Sequence, residues 1–210
     1  MAERSVAHSF DCDGVLAWRI PIQADVLPWK RRQVVLPSEL PTLNRNVNET
    51  PIGILEFPSY GIHAIRNVTR LAAWAIIAIS QEDIYLNTGR ENRRAYVDLT
   101  EASLKRAGIR DRFQDLFFGV SGISTTISKI VWLDQLSEQY DMVYHYDDNP
   151  KTALTVEKYF RERDGKNNVK SILVRDWSAG FLTRGIDLEK EHPNLVVARD
   201  IREAVRLAKN

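Results

Sequence analysis

Cysteine is nearly absent from these 210 residues. The one present, Cys12, excludes an internal disulfide, so packing and hydrogen bonds must hold the fold. It lies between two aspartates with no base nearby, and a reactive thiol needs an electropositive setting, so it reads as a small buried filler. Long apolar runs are missing as well. The longest, Leu71–Ile79, falls far short of the ~20 residues that cross a bilayer, and the N-terminus has no apolar leader core. The expectation is a soluble cytoplasmic protein with no membrane partner. Nor is there an excess of either charge: Lys+Arg 29 against Asp+Glu 28 leaves +1, so any preference for a polyanion must be local. Proline is scarce outside one region. Six of the eight (Pro21, Pro28, Pro37, Pro41, Pro51, Pro58) fall between Ala17 and Tyr60. Periodicity disappears there, which predicts a loop-rich insertion at 17–60, with a short hairpin around Gln33–Leu36 and Gly53–Phe57. The length predicts a single domain over 1–210 that carries this insertion.

What the chain does have is concentrated first at Ser9–Leu16, S-F-D-C-D-G-V-L. Asp11 and Asp13 follow the short apolar run Val6–Phe10 and precede Gly14. Alternate residues of a strand share a face, so the two acids can be aimed at one small volume as the chain begins to turn. Two like charges there call for a cation, and Mg2+ suits oxygen donors. Gly14 allows a sharp turn without a Cβ beside the site.

The rest of the chain alternates strand and helix patterns. Val6–Phe10 reads as a strand buried on both faces. Ile62–Ile79 reads as a packed helix, and Ile84–Asn87 as a strand running into Thr88-Gly89-Arg90. A helix follows from about Asn92 to Ala107, ended by Gly108. Leu116–Val120 is the next strand, and Ser124-Thr125-Thr126 caps a helix to about Tyr140. Met142–Tyr146 is a strand ending in Asp147-Asp148-Asn149-Pro150, then Lys151–Arg163 a helix. Ser171–Val174 and a short Leu195–Ala198 are strands, and Ile201–Lys209 closes as a helix. This order predicts an α/β fold, a Rossmann-like parallel sheet with helices on both faces and a small proline-rich insertion after the first strand. Ligands of such sheets bind beyond the carboxyl ends of the strands, where strand order reverses. Asp11/Asp13, Thr88, Lys129 and Asp147/Asp148 fall at or near such ends.

In order, FDCDGVL, IYLNTGR, Lys129 in TISKIVWL, and VYHYDDNP resemble the four motifs of the haloacid dehalogenase superfamily, in its phosphatase branch. The resemblance spans about Val6 to Val174. It implies that Asp11 is the nucleophile that forms an aspartyl-phosphate, and that Asp13 is a general acid toward the leaving oxygen and then a base for water. It implies that Thr88 hydrogen-bonds the phosphoryl oxygens with the Gly89 backbone close by, and that Lys129 offsets charge on Asp11 and the phosphate. Asp147 and Asp148 would hold Mg2+ with Asp11 and the main-chain carbonyl of Asp13. Arg90 would extend the anion site, more so than Arg93 and Arg94. Each has a plainer reading: a turn at Thr88-Gly89, a solvated helix residue at Lys129, a helix cap at Asp147-Asp148. Their joint placement at strand ends favours the functional one. His145 reads as a packed or supporting histidine rather than a ligand, while His8, His63 and His192 have no evident partners.

Members of this superfamily select substrates through cap insertions. Arg90 to Thr125 leaves no room for one, and 17–60 is short and proline-rich, so an open site is expected. Open sites of this kind admit bulky phosphoesters such as nucleic-acid ends or phosphoproteins, whereas full caps suit small metabolites; the expected partner is a phosphorylated substrate, a small molecule or a nucleic-acid end. Lys30-Arg31-Arg32 beside Trp29 and near Trp18 could touch a polyanion, although a solvated triplet is the plainer reading. The rivals to a hydrolase are a phosphotransferase or phosphomutase, and a non-catalytic module that binds phospho-ligands or nucleic acid.

Overall fold

The computed structural model of the chain describes residues 5–21, 51–57, 61–163, 167–175, 192 and 195–209. Its centre is a six-stranded sheet, β1 (Val6–Phe10), β5 (Asp83–Glu91), β6 (Asp115–Gly119), β7 (Met142–Asp147), β8 (Val169–Val174) and β9 (Leu195–Ala198), in the order β6-β5-β1-β7-β8-β9. Every neighbouring pair is parallel. The chain builds outward from β1 on one side, through β5 to β6, then crosses back to β7 on the other. That reversal makes β1 the switch point of a Rossmann-like α/β fold, and the crevice at its carboxyl end is where such sheets hold ligands.

Strand parity decides which side chains reach which face. On β1 and β7, Phe10 and Tyr146 stack at 4.2 Å between ring centres. They point into a core shared with helices α1 (Arg70–Ala78), α2 (Arg94–Arg106) and α5 (Ile201–Ala208), through Ala72, Ile76, Leu104 and Val205. The alternate residues Ala7 and Val143 pack toward α3 (Thr125–Gln139) and α4 (Pro150–Glu162), against Leu133, Leu136, Val156 and Phe160. Ser9, His145 and Asp147 share this second phase, so their polar groups emerge beneath α3.

Helix ends follow local chemistry. Ser124 accepts from the Ile127 N–H to start α3, and Asn149 accepts from Lys151 and Thr152 ahead of Pro150 to start α4. Gly108 leaves α2 with φ +70°, the left-handed geometry that favours glycine there. A short 3-10 turn at Arg110–Arg112 leads into β6.

The reading of Ile62–Ile79 as one helix is corrected. Gly61–Val68 is strand β4, and the helix begins only at Arg70, with Thr69 capping it through the Ala72 N–H at 3.0 Å. The β-branched Ile62, Ile65 and Val68 suit a strand, and the cap-forming Thr69 was the boundary signal. β4 is the centre of a second, antiparallel sheet in the order β2-β4-β3, with β2 (Ala17–Pro21) and β3 (Pro51–Phe57) at its edges. Those edges tolerate the terminal Pro21 and Pro51. Gly53–Phe57 is thus extended, but it pairs with β4. Gln33–Leu36 and the Lys30–Arg32 triplet lie outside the described residues. This sheet leaves the main one after Leu16 and returns at Thr69, whose N–H donates to the Leu16 carbonyl at 3.0 Å. No helix among the described residues is long and apolar enough to cross a membrane.

Candidate active site

Asp11 continues the β1 ladder by one bond, its N–H donating to the Tyr146 carbonyl at 2.9 Å. The chain then turns through Gly14, at φ +89°, and the Leu16 and Ala17 N–H groups both close onto the Cys12 carbonyl. A Cβ at position 14 would overlap the Asp148 carboxylate. Glycine therefore serves twice there, for the positive φ and for the close approach of Asp148. Cys12 is buried, and burial pushes its thiol up to about 12 despite the nearby Arg90, consistent with a packed, unreactive role.

Lys129 reaches the crevice from the first turns of α3. Its Nζ sits 2.8 Å from Asp11 Oδ2 and 2.6 Å from Asp147 Oδ2, and Asn87 Nδ2 holds its carbonyl at 3.1 Å. Burial alone would push the ammonium down, but the two carboxylates outweigh it and hold Lys129 above its ordinary range. The acids respond in opposite directions. Burial pushes Asp11 up, with Asp147 and Asp13 adding repulsion against the pull of Lys129. For Asp147 burial is outweighed by Lys129 and His145, which hold it below the usual carboxylate range. His145 Nε2 lies 3.3 Å from Asp147 Oδ2, and its Nδ1 lies 3.3 Å from Ser9 Oγ. The same Nδ1 lies 3.2 Å from the Ser9 carbonyl oxygen. The Asn149 N–H donates to Asp147 Oδ1 at 2.8 Å.

Asp11, Asp147 and Asp148 each offer a carboxylate oxygen, and the three oxygens lie within 4.8 Å of one another. With Asp13, four buried carboxylates face the two buried cations Lys129 and Arg90. Such a cluster is short of positive charge, and an all-oxygen donor set fits a hard divalent ion such as Mg2+. The Asp13 side chain stands apart from that trio. Both of its oxygens accept from the Arg90 fork, Oδ2 from Nε at 2.8 Å and Oδ1 from Nη2 at 2.6 Å.

Thr88 and Gly89 lie at the carboxyl end of β5. Thr88 is buried, and its Oγ1 accepts from the Arg90 N–H at 3.3 Å. A Cβ on Gly89 would overlap Thr125, so glycine lets the β5 end press against the start of α3. Arg93 and Arg94 pair instead with Glu91 and Asp98 on the surface. Three partners escaped the sequence reading. Thr100 on α2 accepts from Arg90 Nη1 at 2.7 Å, a contact no local motif signals because it joins a strand end to the middle of a helix. His8 Nδ1 bonds the Tyr146 hydroxyl at 2.7 Å, with its Nε2 3.4 Å from Glu82, and His192 pairs with the buried Glu157.

Fold and site together define a doubly wound α/β protein with a lysine-bridged acidic centre at its switch point. No family model matches the chain, and no curated protein matches it. Among solved structures it is similar to a haloacid dehalogenase-like family hydrolase from Streptococcus pneumoniae, at 8% identity and a TM-score of 0.41. That match covers 69% of this chain and 60% of the other, so it spans less than two thirds of that protein. The fold class stated above rests on strand order and register.

Proposed function

We propose that this protein is a Mg2+-dependent phosphomonoester hydrolase working through an aspartyl-phosphate on Asp11. The observation that carries the reading is Lys129, which bridges Asp11 and Asp147 at 2.8 and 2.6 Å, beside an Asp148 carboxylate within reach of the same ion. A bound Mg2+ would screen the repulsion between a carboxylate nucleophile and an anionic phosphate. The Asp11 carboxylate attacks phosphorus and displaces the leaving oxygen, while Lys129 offsets charge on both Asp11 and the phosphate. The Thr88 hydroxyl and the Gly89 N–H bind phosphoryl oxygens, and Asp13 gives a proton to the leaving oxygen and later takes one from water. The substrate class proposed is an open-site phosphoester, a small molecule or a nucleic-acid end, and the domain is proposed as a single unit over 1–210 with its insertion at 17–60.

The test is phosphate release from an aryl phosphate, nucleotides, sugar phosphates and 3′- or 5′-phosphorylated oligonucleotides, with Mg2+ and with chelator, wild type beside Asp11→Asn. Metal-dependent release that falls by at least about 10³-fold in the folded variant supports the reading. Undiminished release sinks the nucleophile, and a folded, metal-binding wild type silent across the panel would point to a binding module instead.

A further inference from the structure

The Arg90 guanidinium is nearly enclosed, and it spends three of its five N–H donors inside the protein. Nε and Nη2 form a two-pronged fork on the Asp13 carboxylate, at 2.8 and 2.6 Å. Nη1 donates to Thr100 Oγ1 at 2.7 Å, and that hydroxyl donates in turn to the Tyr96 carbonyl at 2.7 Å. Asp13, Arg90 and Thr100 are all buried, at 4%, 2% and 0% exposure. The Nε–Nη2 edge, one that a planar fork could otherwise present to a phosphate, is thus taken by Asp13, and the side chain is 1% exposed, although its position after Thr88-Gly89 suggests that task.

We infer that Arg90 is a positioning residue for Asp13, with Thr100 setting the guanidinium plane, and that it is not a phosphate ligand. The inference rests on the phosphatase reading, because it gives Asp13 the acid–base role. A planar fork defines the plane and rotation of the carboxylate it binds. A carboxylate has about four lone-pair sites, and the fork takes one on each oxygen. One site per oxygen is left to carry or receive a proton, in a fixed direction. Proton transfer is sensitive to that direction. The chain Tyr96 carbonyl, Thr100, Arg90, Asp13 therefore hands the geometry of α2 to the acid at the end of β1. α2 becomes part of the catalytic apparatus without touching substrate.

The test compares wild type, Thr100→Val, Thr100→Ser and Arg90→Lys on two substrates, an aryl phosphate with a good leaving group and an alkyl phosphate with a poor one. Only the second needs a proton on its leaving oxygen. In Thr100→Val and Arg90→Lys, the single-turnover rate of alcohol release from the alkyl ester should fall by about 10-fold or more, with phenol release from the aryl ester within about 2-fold of wild type, because the later attack of water, which Asp13 also serves, is not part of either measurement. Inhibition by inorganic phosphate should stay unchanged. Thr100→Ser, which keeps the hydroxyl, should restore the alkyl ester rate. Arg90→Lys keeps the charge without the fork, so it reads out the same geometry if the valine variant folds poorly. Equal losses on both esters, or a rise in the phosphate inhibition constant, would overturn the inference while leaving the hydrolase intact. A wild type that turns over neither ester overturns both.

Discussion

Gly14 shows how much one residue settles at this site. Its φ of +89° is costly for any side chain, by about 1–2 kcal/mol, and a Cβ there would overlap the Asp148 carboxylate. Gly108 offers a comparison at φ +70° with nothing within 4 Å of an added Cβ. Gly14→Ala and Gly108→Ala should therefore both lower the melting temperature, but only Gly14→Ala should also abolish the rise in melting temperature that Mg2+ bound by Asp11, Asp147 and Asp148 would produce. Thermal melts with Mg2+ and with chelator check this, and a Mg2+ response equally intact in Gly14→Ala and wild type would show that the Asp148 carboxylate can shift away from position 14. Lys129 makes the same point through charge. Its place between Asp11 and Asp147 was legible as a type of residue after a serine-threonine cap, whereas the 2.6–2.8 Å bridge exists only because α3 lies across the ends of β1 and β7.

Among the elements, α1 carries the clearest lesson. Leu71–Ile79 is apolar on nearly every side, which invites an N-terminal extension into Gly61–Val68, yet that stretch is the central strand of the small sheet. The two segments differ in period, and Thr69 divides them by offering its hydroxyl to the Ala72 N–H. Replacing Thr69 with Ala removes that acceptor from a buried helix start and should lower stability by about 1 kcal/mol, read as a shift of the urea midpoint with unchanged slope. An unchanged midpoint would mean that strand pairing alone sets the boundary. α2 is the opposite case. Its ends were legible from Gly108, but its contribution to the site, the Thr100 hydroxyl, depends on a packing partner 10 residues away in sequence.

For the whole molecule, the aromatic core under β1 and β7 makes stability depend on pH far from the acidic centre. His8 stacks on Tyr144 and Tyr146 and is pushed down to about 4, by burial first and by Lys209 second, despite Glu82 at 3.4 Å. Its proton is favoured in the unfolded chain, where the ring titrates near 6.5. Stability is therefore fully present above pH 6.5 and is lost as pH falls toward 4, by about 3 kcal/mol from this residue. Urea titrations of wild type and His8→Phe at pH 7 and pH 4 should show the wild type losing about that much more than the variant. Parallel losses would mean that the ring takes up its proton as readily in the folded chain as in the unfolded one.

The sequence by itself determined the strand and helix alternation, the polarity of the strand ends and the identity of the acids, because these depend on period, caps and residue type, all local. It read β1, β7, α3, α4 and α5 to within a residue or two. The tertiary structure decided what period cannot express: which strand lies beside which, that Gly53–Phe57 pairs with Gly61–Val68, and that Arg90 turns to Asp13 rather than outward. The physical reason is that a buried charge takes the partner that packing brings within hydrogen-bonding reach, and packing joins residues such as Asp13 and Arg90 that the chain holds 77 positions apart.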